Sequence, residues 1–205
     1  MKKLKKPFFA LIALAVGIGM LSCVSPFYGT AKIEEGWHMD VGVAGGTLIL
    51  PHLDAWGFSS LIGVRGDVEL RYGLNKYLGF HARGAIGYPM LDGALGIQTA
   101  FPLGLVTPAL RTEISWYGGG PTFSPALLVG VGRTEWVTLG VRTHIPGNLG
   151  DSPHPEYGPY LDPFPIDCFV GIHLGRWNIF AGSQCFRHSY SNKPIASVGL
   201  GYKIK

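Results

Sequence analysis

Residues able to do chemistry are thinly spread in this 205-residue chain, and most of them fall into one pattern. Asp40, Arg65, Asp67, Glu69, Arg71, Arg83, Arg111, Glu113 and Arg142 alternate with apolar residues. In a strand, alternation sends all such side chains to one face. His81, His144 and His173 share that phase. Opposite charges gathered on a face away from water must pair, because breaking such a pair costs about 3–5 kcal/mol. The expected chemistry is therefore a paired charge network, or alternatively a polar lining past which small solutes move.

Other groups offer less. His188-Ser189-Tyr190-Ser191-Asn192 sets an imidazole near two hydroxyls. Nucleophilic catalysis needs base and hydroxyl within hydrogen-bond reach. Ser191 lies three residues after His188, on the opposite face of a regular strand, and no carboxylate follows Asn192. Asp151, His154, Glu156 and Asp162 match no ligand spacing known for a metal. No metal, cofactor or enzymatic activity is expected.

Cys168 and Cys185 flank a tight turn near Arg176-Trp177. A two-residue turn at 176–177 would set them opposite each other, within reach of a disulfide. A three-residue turn would put them on opposite faces as two thiols, and the apolar phase of Phe180 and Phe186 favours that version.

The elements that must position these groups begin after a targeting segment. Lys2, Lys3, Lys5 and Lys6 precede an apolar run from Phe8 to Leu21, which is followed by Ser22-Cys23. This is a secretory signal pattern, assigned to residues 1–22. Its removal takes four lysines and no acids from 17 Lys+Arg and 13 Asp+Glu, leaving 13 against 13. A neutral mature chain has no electrostatic attraction for nucleic acid. Residues 23–36 are expected as an extended tether, and 37–205 as one β domain.

Period-two alternation runs through that domain. It is clearest over 61–72, where Val64, Val68 and Leu70 oppose Arg65, Asp67, Glu69 and Arg71. Ten strands are expected, with eight or twelve as alternatives because 94–108 and 179–190 are blurred. Short connections at 73–76, 103–107, 133–135 and 176–178 alternate with looser ones at 49–57, 89–93, 118–122, 146–165 and 190–194. That parity puts all the short turns at one end and both chain termini with them. Outer-membrane barrels combine short periplasmic turns with longer outside loops.

On these features the chain resembles the small outer-membrane β-barrel proteins of diderm bacteria. The signal, the alternating strands and hairpins such as Arg71-Tyr72-Gly73-Leu74-Asn75-Lys76-Tyr77-Leu78-Gly79-Phe80 carry the resemblance. It implies an all-β, antiparallel up-and-down transmembrane barrel in the bacterial outer membrane, with both termini periplasmic. Partners would be outer-membrane lipids and the assembly machinery. The C-terminus, Tyr202-Lys203-Ile204-Lys205, departs from the aromatic ending common in that group. The role implied is structural or surface-interacting, with a narrow porin-like pore as the alternative. The proline-rich 146–165 loop would be an external ligand or partner site.

His188 to Asn192 also resembles, in part, the site of the lipid A deacylase barrels, whose Ser stands two residues after its His. Met20-Leu21-Ser22-Cys23 resembles a lipoprotein lipobox, which implies diacylglycerol on Cys23. Gly29-Thr30-Ala31 offers a conventional cleavage site instead. Cells fed radiolabelled palmitate should label this protein, and Cys23→Ser should abolish the label; label that survives the substitution contradicts lipidation there.

Overall fold

A computed structural model describes residues 26–48, 61–88, 92–117, 120–146, 166–186 and 195–204. The expected signal segment, Cys23, residues 147–165 and His188 to Asn192 lie outside them. The strands are β1 (Gly36–Leu48), β2 (Leu61–Asn75), β3 (Leu78–Tyr88), β4 (Asp92–Ala100), β5 (Val106–Tyr117) and β6 (Gly120–Val131), followed by β7 (Val137–Thr143), β8 (Ile145–Pro146), β9 (Ile166–Leu174), β10 (Trp177–Phe186) and β11 (Ile195–Lys203). After a break at His144, β8 continues the register of β7 along β6, so the two form one stave.

Every pairing is antiparallel. Strands pair with their neighbours in sequence, β9 pairs with β7, and β1 pairs with β11 to close the ring. The result is a closed ten-stranded up-and-down barrel, with no helix among the described residues. The ladder from Gly36 runs through Gly73, Gly79, Gln98, Arg111, Ala126, Arg142, Asp167 and Gln184 to Ile195. It starts at the turn end of β1 and finishes at the loop end of β11. That stagger is the shear that tilts barrel strands.

The alternation resolves into two unlike surfaces. Ile86 is 72% exposed, Leu95 68% and Ile114 66%, all on the outer face. Asp40, Glu69 and Arg111 face the lumen at 0%, 1% and 2%. A soluble barrel buries its apolar face and wets its charges. This barrel does the reverse.

The connections differ in detail from expectation. The β2–β3 turn is Lys76-Tyr77, held by Asn75 Oδ1, which accepts from the amides of Tyr77 (2.8 Å) and Leu78 (2.9 Å). A polar side chain that caps its own turn in this way sets the hairpin register. The β5–β6 ladder pairs Tyr117 with Gly120, so that connection is as tight as any turn at the other end. The contrast in loop length therefore rests on 49–60, 147–165 and 187–194.

The β9–β10 turn is Gly175-Arg176, one residue earlier than a turn at 176–177. Gly175 has φ +67°, a conformation that favours glycine and fixes the turn there. Cys168 consequently faces Ser183 across the ladder. The ladder is bulged between Gln184 and Phe186, and the Cys185 side chain lies outside the described residues.

Of the stretch expected to be an extended tether, residues 26–35 lie inside the barrel. Phe27, Tyr28, Ala31 and Ile33 are 4%, 1%, 0% and 7% exposed and join the lumen core with Phe169, Phe180 and Leu128. Gly36, at φ +87°, turns the chain from this segment into β1. Glycines make the room. A Cβ at Gly42, Gly199 or Gly201 would overlap the Tyr28 ring, and one at Gly73 would overlap the Glu34 carbonyl oxygen.

The Tyr28 hydroxyl is buried without a hydrogen-bond partner. Tyr28→Phe should therefore leave the unfolding midpoint unchanged or raise it. Tyr28→Ala should cost about 3–5 kcal/mol, the usual loss for emptying an aromatic site. Urea unfolding of the folded protein checks both; equal losses in the two variants would mean the ring is not what fills the slot.

Candidate functional site

The polar lumen is the candidate site, and its side chains form linked clusters. At its centre Arg111 on β5 donates from Nη1 to Glu69 Oε1 on β2 (2.7 Å) and from Nε to Glu113 Oε1 (2.7 Å). Glu113 also meets Arg83 Nη2 at 3.4 Å and His81 Nε2 at 3.2 Å. Nearer the turn end, Arg71 donates to Asp40 Oδ2 from Nε (3.0 Å) and Nη2 (2.5 Å). Toward the loop end, Arg65 Nε donates to Asp67 Oδ1 at 2.9 Å. All nine charged residues singled out by alternation point into the lumen, and every one of them is in an ion pair.

A further cluster lies at the loop end. Arg142 Nη2 meets Asp167 Oδ2 at 3.0 Å, His144 Nε2 lies 2.8 Å from the same oxygen, and His144 Nδ1 lies 2.9 Å from Ser124 Oγ. The order hydroxyl, imidazole, carboxylate is one that activates a nucleophile. Here Ser124 is 1% exposed and Asp167 is shared with Arg142, so the relay ties β6, β7 and β9 together. His173 makes a similar tie at the turn end, between Thr138 Oγ1 (2.8 Å) and Asn178 Oδ1 (2.7 Å). Among the described residues, no group of His, Cys, Asp and Glu is arranged to hold a metal.

The remaining polar groups grip residues 26–35. Glu135 accepts from the amides of Ala31 and Lys32, the latter at 2.6 Å, and from Thr138 Oγ1 at 2.7 Å. Gln98 Nε2 donates to the carbonyls of Thr30 (2.8 Å) and Ala31 (2.9 Å). Asn178 Nδ2 donates to the Tyr28 carbonyl at 2.9 Å. The Arg111 guanidinium lies 4.9 Å over the Phe27 ring, which packs 5.4 Å from Phe169. At the exit Glu34 bonds Lys203 and lies 3.5 Å from His38. Burial pushes the Glu34 carboxyl up, but the Lys203 ammonium and the Arg71 guanidinium outweigh that and hold it below the usual carboxylate range.

Sequence reasoning missed Asp167, and it missed Glu135, Gln98, Asn178 and the segment those three hold. One signal was present: the inward positions of β1 and β11 include Gly42, Gly199 and Gly201. A lumen wall of glycine leaves a slot that something else must fill. No family model matches this sequence, and no curated protein is similar to it.

Arg111 is the cation that Glu69 and Glu113 share at the centre of the cluster. Arg111→Leu should cost about 3–5 kcal/mol, because it leaves Glu69 and Glu113 buried without their shared cation. Adding Glu69→Gln and Glu113→Gln should recover part of the loss. Denaturant titration of the single and triple variants checks this; a triple variant weaker than Arg111→Leu would contradict it.

Proposed function

We propose that this protein is an exported outer-membrane β-barrel with a closed lumen and a structural or surface-interaction role, without enzymatic activity. The inverted distribution of its side chains carries the reading. An outer surface of Val64, Val68, Ile86, Leu95, Ile114 and Leu127, all more than two-fifths exposed, suits hydrocarbon and would aggregate in water. The strands have the required length. The staves run from 9 residues in β4 to 15 in β2, and a tilted strand crosses a bilayer in about 9–11 residues.

Aromatic residues support the orientation. Trp37 and Tyr72 stack at 4.8 Å, and Trp177 and Tyr202 at 5.0 Å, all at the turn end with Tyr77 and Trp136 exposed beside them. Such a girdle belongs at a membrane interface, where one edge of the ring is wet. With the short turns periplasmic, the 147–165 loop faces outward, where its aromatics can anchor a ligand or partner. A lipid on Cys23 would add a second membrane attachment.

Fractionation tests this reading. The protein should sediment with outer membranes, need detergent to dissolve and migrate differently on gels before and after boiling. Leu95→Arg should destabilise the bilayer-folded form by about 2–4 kcal/mol if it lies near the midplane. A protein that stays soluble without detergent after signal removal would overturn the reading.

A further inference from the structure

Residues 26–35 run through the lumen without joining any ladder. Their backbone is met instead by side chains from the wall. Glu135 takes two successive amides, Gln98 binds two successive carbonyls, and Asn178 binds a third. These contacts read backbone rather than sequence. The segment is continuous with the barrel only at Gly36, whose φ of +87° makes it a natural pivot.

The wall behind the segment is bare. Tyr28 lies against Gly42, Gly199 and Gly201, and Ile33 against Gly73 and Gly79. If the segment leaves, no side chain of those strands stands ready to fill its track. An extended chain occupies about 4.8 Å in its narrow dimension, the spacing of neighbouring strands. The track it vacates is therefore wide enough for water and small ions. Glu69, Arg111, Asp40 and Arg71 would line it with both signs of charge.

The clamp carries strain. Glu135 has φ +48°, the sole positive φ at a non-glycine among the described residues, and it is 2% exposed. A side chain held in that region costs of order 1–3 kcal/mol. The strained turn aims the carboxylate into the lumen at the two amides.

We propose that residues 26–35 are a releasable plug and that the barrel is a latent path for small inorganic ions, shut by the Glu135–Gln98 clamp. This rests on the membrane-barrel reading above. The plug is held by side chains and by no ladder bond, so it can open while the ladders stay intact.

Planar-bilayer recording in potassium chloride tests the proposal, with full-length protein shown beforehand to be heat-modifiable and inserted. Wild type should be quiet. The Glu135→Ala/Gln98→Ala variant should pass steady current in discrete steps, and a synthetic peptide of sequence 26–35 added in solution should block it. Should that variant fail to fold, wild type under mild urea should show the same steps reversibly before the barrel unfolds. Inserted protein that stays quiet in both experiments, or wild type that conducts steadily, overturns the plug. A protein that never inserts overturns the barrel reading itself.

Discussion

A carboxylate or guanidinium in the middle of this barrel has no bulk water to face, and the rest of the structure follows from that. Each buried charge needs an opposite charge and further donors or acceptors, or it costs more than the fold can tolerate. Arg111 pairs with Glu69 and Glu113 together, and its bond to Glu69 joins β2 to β5 across the lumen. Arg142 and His144 do the same for Asp167, Arg71 for Asp40, and Arg65 for Asp67. The network sets which face of β1, β2, β3, β5, β7 and β9 points inward, since a one-residue slip would exchange charges for apolar side chains.

Pairing alone does not fill the space. Much of the inward face is glycine and alanine, including Gly42, Ala44, Ala94, Ala126, Gly199 and Gly201. Interiors tolerate few voids larger than a water molecule. Here the chain's own residues 26–35 supply the missing volume, with Phe27, Tyr28 and Ile33 as the bulky parts. Polar and apolar demands meet in the same segment: Phe27 packs under Arg111 while the backbone of residues 28–32 is bonded by Asn178, Gln98 and Glu135.

The barrel was legible in the sequence because its signal is local and repeated. Arg65, Asp67, Glu69 and Arg71 alternate with apolar residues over one strand, and period two survives whatever the strand packs on. Turn positions were less legible: the shift to Gly175-Arg176 depends on one glycine, and it moves Cys168 from Cys185 to Ser183. The plug was invisible to periodicity, since a chain bound by side chains has no ladder to impose one. Glu135 sits in a turn and acts on an amide 104 residues away, so neither its neighbours nor its spacing marks it. The glycines of β1 and β11 were the available clue, and they read as a gap only once the barrel is assumed.

This inside-out barrel closes on its own residues 26–35. Amide hydrogen exchange of the folded protein tests this directly. Ala31 and Lys32 lie outside every ladder, so protection there comes only from the lumen contacts. Exchange there should be far slower than in an unstructured chain but faster than in the barrel strands, and Glu135→Ala should make it fast while the strands stay protected. Exchange at Ala31 and Lys32 as fast as in an unstructured chain, in protein whose strands are protected, would contradict it.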